Sequence, residues 1–155
     1  MIRLIVLLLA CVTACSNETV CTARGSLQGV HVNVDKAVAG RAESLAMEVC
    51  WDGACQEAST ELMPSTVAGN QTCSGEVCSA EAVRTGGKFG FGAITGLPKR
   101  PVEVRLTLRG ADPEPVLART IKVTPKATFP NGPDCGEGSP QAVLTIAADG
   151  SVREG

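Results

Sequence analysis

Four stretches of the chain alternate apolar with polar residues, which is the period-two pattern of β-strands that bury one face. They span residues 30–34, 45–51, 102–108 and 142–148. In the third and most regular stretch, four apolar side chains alternate with charged or hydroxyl-bearing ones. We therefore expect a protein built mainly from strands.

Weaker strand patterns lie at residues 54–63, 88–94 and 115–123, and clusters of Gly, Pro, Asn and Asp separate the stretches. About seven short strands without long helical periods predict an all-β fold. The favoured architecture is an immunoglobulin-like β-sandwich, and a small β-barrel is the alternative.

Two segments leave other local structures open. Residues 35–46 could begin as a helix, because Val38, Ala42 and Leu45 have the spacing of one helix face. Residues 88–92 contain two glycines in a strand-like stretch, which is typical of a bulge or of a close backbone approach.

The first residues of the chain have the pattern of an export signal. Arg3 supplies a positive charge, and residues 4–12 form an apolar run far shorter than the roughly 20 residues that span a bilayer. The sequence Val-Thr-Ala-Cys at residues 12–15 resembles the lipobox of bacterial lipoproteins. This resemblance implies cleavage after Ala14, transfer of a diacylglyceryl group to the Cys15 thiol, and acylation of the new amino terminus, for example with palmitate.

A second lipobox-like sequence ends at Cys11, and the number of cysteines that remain decides between the two. Lipidation at Cys15 leaves an even number of cysteines downstream, whereas lipidation at Cys11 leaves an odd number. An unpaired thiol is a liability in an oxidising compartment. We therefore expect a signal peptide at residues 1–14, a lipidated cysteine with a short tether at 15–20, and one domain at 21–155.

The six cysteines after Cys15 are expected to form disulfides, because exported proteins meet oxidising conditions. Asp-Gly between Cys50 and Cys55 is typical of a type I′ hairpin turn, and Gly-Glu between Cys73 and Cys78 suits a type II′ turn. Cysteines that flank such turns face each other across a strand pair. Spacing therefore ranks first the pairs Cys50–Cys55, Cys73–Cys78 and Cys21–Cys135, out of 15 possible sets.

The same two C-x4-C spacings leave a metal site as an alternative, because four thiolates can hold zinc. Export argues against this alternative, since exported thiols are normally oxidised. A catalytic redox pair is also disfavoured, because neither spacing is C-x-x-C.

The composition lowers the expectation for several kinds of partner. The formal net charge is −2, and the 14 basic and 16 acidic residues are scattered along the chain, so no nucleic-acid partner is expected. The chain has no Tyr, one Trp and three Phe, which leaves few aromatic platforms for bases or sugars. We expect no cofactor.

Few side chains suggest chemistry. His31 is the only histidine and falls on the polar face of its predicted strand, where a solvated role is expected. Pairing around the Asp-Gly turn would set Glu48 opposite Glu57, with Glu61 further along the same face. Like charges at such positions must be splayed into water, balanced by a neighbouring Lys or Arg, or bridged by a cation such as calcium. No catalytic motif surrounds these residues.

Three short elements carry a further resemblance: residues 49–55 with their Asp-Gly turn, Asp134-Cys135-Gly136, and the closing strand at 141–150. They resemble small secreted or lipid-anchored β-sandwich proteins of high-GC, actinobacterial-type bacteria. The resemblance implies an immunoglobulin-like architecture and no catalytic residues.

The expected function is that of a non-enzymatic envelope lipoprotein, held at the membrane by its lipid, with a structural or interaction role. An envelope protein is the expected kind of partner. A ligand or metal-ion carrier and an enzyme of unrecognised type are the alternatives.

Overall fold

The structure, a computed structural model, describes residues 20–155, and the proposed signal peptide and lipidated Cys15 lie outside this range. Nine strands form the described part. They are β1 (Gly29–Val34), β2 (Ser44–Trp51), β3 (Ala54–Glu61), β4 (Met63–Ser74), β5 (Val77–Ala93), β6 (Val102–Arg109), β7 (Leu117–Val123), β8 (Gln141–Ile146) and β9 (Val152–Glu154). Helix α1 (Lys36–Ala39) and a 3-10 turn (Pro133–Cys135) complete the described elements.

The strands form two sheets that share no strand, so the fold is a β-sandwich. One sheet has the order β4-β5-β1-β8-β9, and the other has the order β3-β2-β6-β7. All pairs of neighbouring strands are antiparallel except β1 and β8, which run parallel. The two-sheet arrangement bears out the predicted sandwich and not the alternative barrel.

The core lies between the sheets and contains the apolar halves of the alternating strands. β6 is the clearest case, since its four apolar residues are buried and the residues between them are not. At roughly 20–33 cal/mol per Å² of apolar surface, burial of each Val or Leu side chain stabilises the fold by roughly 1.5–3 kcal/mol. The same alternation that predicts the strands therefore supplies most of the stabilising contacts.

Close approach of the sheets explains the glycines of β5. Gly90 and Gly92 are buried, and a Cβ atom at Gly92 would lie 2.4 Å from the Sδ atom of Met47 in the opposite sheet. Side chains at these positions would push the sheets apart. The expectation of a close backbone approach is confirmed.

Helix α1 is much shorter than the alternative at residues 35–46 would require. Asp35 caps it, with a carboxylate oxygen that accepts a hydrogen bond from the backbone N–H of Ala37 at 2.8 Å. The helix ends after one turn, and the strand pattern resumes at Ser44 in β2. The segment therefore begins as a helix, but the helix ends before Ala42 and Leu45, and Leu45 belongs to β2.

The strand count also differs from the expected seven. The added strands are β4, which had no period-two pattern, and the short β9 at the end of the chain. Within residues 20–155, no helix is long and apolar enough to cross a bilayer.

Candidate functional site

The hairpin of β4 and β5 extends far beyond the sandwich. β1 pairs with β5 only from Lys88 to Ala93, so the part of β5 from Val77 to Arg84 pairs with β4 alone. We call residues 66–85 the arm. Each arm residue except Gly69 is exposed, so both faces of this two-stranded ribbon meet solvent.

The position of the arm follows from the strand register. Gly29, at the start of β1, lies opposite Ala93, and Val34, at its end, lies opposite Lys88. β5 therefore continues past the Val34 end of β1, whereas Cys21 precedes the Gly29 end. At about 3.3 Å per residue, residues 77–87 extend the strand by roughly 35 Å. The tip of the arm and the Cys21–Cys135 disulfide thus lie at opposite ends of the described part of the chain.

A disulfide closes the tip. Cys73 and Cys78 are bonded, with their Cα atoms 4.0 Å apart, and the intervening turn has Gly75 at a positive φ of 62°. A positive φ at the first central residue is typical of a type II′ turn. A two-stranded ribbon is only marginally stable in water by itself, so the disulfide gives the arm a stabilising cross-link.

The arm has an unusual share of the exposed apolar surface. Val67, Val77 and Val83 are 55%, 73% and 47% exposed. With Met63 at the base of the hairpin, they make up four of the eight large hydrophobic side chains that are exposed among the described residues. Val67 and Val83 lie directly opposite each other, so they share a face of the ribbon. Exposed apolar side chains on a projecting element indicate contact with a partner.

The other two disulfides lie at the opposite end of the sandwich. Cys50 is bonded to Cys55 across a turn in which Asp52 and Gly53 both have positive φ, as a type I′ turn requires. Cys21 is bonded to Cys135, and their Cα atoms are 5.5 Å apart. These are the three pairings that the cysteine spacing ranks first.

The disulfide bonds argue against the alternative of a zinc site. The Sγ atoms of Cys50 and Cys55 lie within 4.8 Å of a carboxylate oxygen of Glu48, but both sulfurs belong to a disulfide and are not thiolates. The second C-x4-C pair lies at the tip of the arm, in the other sheet. The structure therefore does not bring the four cysteines together.

The acidic pair on the outer face of the second sheet is balanced by an arginine. Glu48 lies opposite Glu57 as expected, and Arg105 of β6 lies on its other side. The Nη1 atom of Arg105 donates a hydrogen bond to Glu48 at 2.7 Å, and its Nε atom donates one to Glu103 at 2.9 Å. Hydrogen bonds to Glu48 and then Glu103 raise the pKa of the Arg105 guanidinium. Of the three arrangements considered, charge balance by a neighbouring strand is the one that forms.

Glu61 does not join that cluster, because it lies opposite Ser44 near the other end of the strand pair. His31 is half-buried rather than fully solvated. Its ring stacks on Phe89 with 5.6 Å between the ring centroids, and its Nε2 atom lies 3.0 Å from the amide oxygen of Asn33. This contact is typical of a side chain that covers the outer face of a sheet.

Comparison of the chain with protein-family models, with curated proteins and with solved structures finds no match. The candidate site therefore rests on the geometry of the arm.

Sequence reasoning located the tip of the arm but not its length. The spacing of Cys73 and Cys78 predicts a hairpin there, whereas residues 63–72 and 79–87 have no regular apolar alternation. A strand that buries neither face has no reason to alternate. The only signal was the run of β-favouring and small residues on both sides of the disulfide-closed turn.

Proposed function

We propose that the protein is an exported, lipid-anchored envelope protein without enzymatic activity, and that its sandwich carries the arm as an interaction element. The arm is the observation that supports this proposal. It contributes no residue to the buried core, yet it is closed by its own disulfide and exposes several valines. An element that adds nothing to the core and exposes apolar side chains is expected to contact a partner.

The anchor is supported by the residues before the sandwich. The lipobox-like sequence ends at Cys15, and the first disulfide-bonded cysteine of the described part is Cys21. Residues 16–20, even when fully extended, span less than about 20 Å. A lipid on Cys15 would therefore hold the Cys21 end of the sandwich close to the membrane. Three disulfides also suit an oxidising, extracytoplasmic location.

The anchor is tested by the mass of the amino-terminal peptide of the membrane-extracted protein. We expect a peptide that begins at Cys15 and carries a diacylglyceryl group, with a further acyl chain where the host adds one. Cys15→Ser should abolish the modification and release the protein from membranes, whereas Cys11→Ser should leave both unchanged. A lipid found on Cys11, or an unmodified amino terminus, would overturn this part of the proposal.

The interaction role is tested by photocross-linking in intact cells. A photoreactive amino acid placed at Ala80 of the arm should give a specific adduct with a protein. The same amino acid at Ser59, an exposed position of β3, is the matched control and should give none. If no adduct forms at Ala80, or if both positions give the same adducts, the arm is not the interaction element.

A further inference from the structure

The edge of β5 in the arm is open and regular. On this side β1 reaches only as far as Lys88, and α1 then lies beside Gly86, where a Cβ atom would be 3.3 Å from the Cβ atom of Lys36. Between Val77 and Arg84 the strand contains no proline and no inserted residue. An open, regular edge presents backbone N–H and C=O groups to another strand.

The opposite edge of the arm, formed by β4, is much less suited to pairing. Between Ala68 and Gln71 two residues of β4 lie opposite one residue of β5, which is a bulge in β4. At the base of the arm, between Pro64 and Thr66, the extra residues belong to β5 instead. Bulges and prolines are the features by which natural edge strands avoid further pairing. The two edges therefore differ, and from Val77 to Arg84 only that of β5 has a regular backbone.

The direction of the backbone groups follows from the tip. Ser74 and Val77 flank a two-residue turn, so the N–H and C=O groups of Val77 point towards β4. The alternation of a strand then directs the groups of Cys78, Ala80 and Ala82 away from β4, to the open edge. These residues are available to form the hydrogen-bonded positions of a new strand pair.

We propose that this edge pairs antiparallel with the same edge of a second copy of the chain, with Ala80 opposite Ala80 of the partner subunit. A two-fold axis through this position sets Val83 opposite the partner's Val77. It also brings Arg84 level with the partner's Glu76, the turn residue that directly precedes β5. Each of these contacts occurs twice by symmetry. The valines fall at non-hydrogen-bonded positions, where facing side chains lie closest together.

The charges select this register. Neither Glu76 nor Arg84 forms an ion pair with any other residue in the described part of the chain. Opposite charges that face each other across two strands stabilise the pair, and like charges destabilise it. In the register centred on Ala80, each of these two side chains meets an opposite charge.

Neighbouring registers lack this match. A two-fold axis at Glu81 would place that carboxylate directly opposite its own copy, and an axis at Ala82 would place Glu81 opposite the partner's Val83. An axis at Ser79 would place Glu81 opposite the partner's Val77. Each of these registers separates Arg84 from the partner's Glu76.

The pairing also agrees with the shape of the molecule. The two sandwiches would lie at opposite ends of a four-stranded ribbon, and the partner's tip would end beside Arg84, just before α1. Four strands are more stable than the two of an isolated arm. An axis perpendicular to the ribbon turns the same sheet face of both copies to one side, so two lipid-anchored copies fit on one membrane.

This inference rests on the proposed interaction role of the arm and names the partner as a second copy. Sedimentation equilibrium of the mature, full-length protein in mild detergent tests it. We expect a concentration-dependent dimer. Glu76→Arg and Arg84→Glu should each raise the dimer dissociation constant about tenfold or more, because two attractive pairs become repulsive. The combined swap of both residues should return it to within about threefold of the original value.

Glu81→Arg is the matched control, because Glu81 faces the partner's Ser79 in this register and the substitution should leave dimerisation within about threefold. A monomer at every concentration, equal effects of all three single variants, or no rescue by the swap would overturn the proposal. Thermal unfolding of each variant checks that its sandwich is folded. The substitutions lie outside the core, so the melting temperature should stay close to that of the original chain. A monomer that still cross-links through Ala80 to a different protein overturns the self-pairing alone, whereas the absence of any adduct overturns the interaction role as well.

Discussion

At Gly29 the backbones of β1 and β5 approach so closely that no side chain fits. A Cβ atom there would lie 2.1 Å from the carbonyl oxygen of Gly92. Because the obstructing atom belongs to the backbone, relief would require the strands to separate. The sequence indicated crowding at Gly90 and Gly92, but Gly29 is not distinguished by any local pattern, since its constraint comes from a strand far along the chain.

Gly29→Ala should therefore lower the free energy of unfolding by about 1–3 kcal/mol, the usual cost of overpacking. Urea denaturation followed by the fluorescence of Trp51 measures the change. The control is Gly40→Ala, because a Cβ atom at Gly40 meets no atom within 4 Å and its φ is −61°. The control should change stability by less than about 1 kcal/mol, and in the stabilising direction if at all. Equal losses for the two variants would contradict the packing at Gly29.

The carboxyl group of Asp149 is the basis of a second prediction at the scale of a single residue, which concerns the pH dependence of stability. Hydrogen bonds from the side chain and the backbone N–H of Ser151 lower the pKa of its carboxyl group in the folded protein. A lowered pKa means that the stabilising contribution is complete above the unfolded-state pKa. It is lost as the pH falls through the folded-state pKa.

Asp149→Asn should consequently reduce the fall in melting temperature between pH 5 and pH 2, because the variant has no carboxylate to protonate there. Thermal unfolding across that range, on the original chain and the variant, measures the difference. Asp112→Asn, in the loop before β7, is the control for removal of one negative charge. If both variants flatten the pH profile equally, the hydrogen bonds of Asp149 are not the cause.

Among the elements, the hairpin turns are the ones that the sequence predicts most completely. Asp52-Gly53 supplies the positive φ angles that a type I′ turn needs, so the turn, the facing strands and the cysteine pair follow from one short stretch. β6 follows equally directly, because one of its faces is buried. The arm is the counterexample, since a ribbon with two exposed faces has no periodic apolar signal.

The Cys21–Cys135 disulfide and the Cys50–Cys55 disulfide should differ in how much each stabilises the folded protein. Cys21–Cys135 joins residues 114 positions apart, and Cys50–Cys55 joins residues 5 positions apart. Loop-closure entropy then predicts a loss of roughly 5 kcal/mol for the paired Cys21→Ser and Cys135→Ser variant. It predicts roughly 2 kcal/mol for the paired Cys50→Ser and Cys55→Ser variant.

Differential scanning calorimetry on the two paired variants tests this order. Each variant removes both partners of one bond, so neither leaves a new free thiol to exchange with the remaining disulfides. A larger fall in melting temperature for the hairpin variant would contradict the assignment of the long disulfide as the principal cross-link.

For the whole molecule, the division between sandwich and arm makes the clearest prediction. Removal of residues 66–85 would join Ser65 directly to Gly86 and leave a short glycine-containing turn between Pro64 and Lys88, which already lie opposite each other. Because the buried core takes no residue from this segment, the melting temperature should change by only a few degrees. The protein should also lose its adducts at the arm and its self-association.

Calorimetry and sedimentation velocity on the shortened chain measure both effects. The shortened chain is compared with the paired Cys73→Ser and Cys78→Ser variant, which keeps the arm but not the bond at its tip. Loss of cooperative unfolding in the shortened chain would show that the arm supports the sandwich, contrary to the burial pattern.

The sequence by itself determined the all-β class, the strands that bury one face, and both short hairpin turns, because each depends on neighbouring residues. Tertiary structure alone decided the two-sheet order, the arginine that balances Glu48, and the crowding at Gly29, since these join residues far apart in the chain. It also decided the extent of the arm. The strand pattern predicted at 88–94 covers only the part of β5 that pairs with β1, and the rest of β5 has no apolar alternation because it buries neither face.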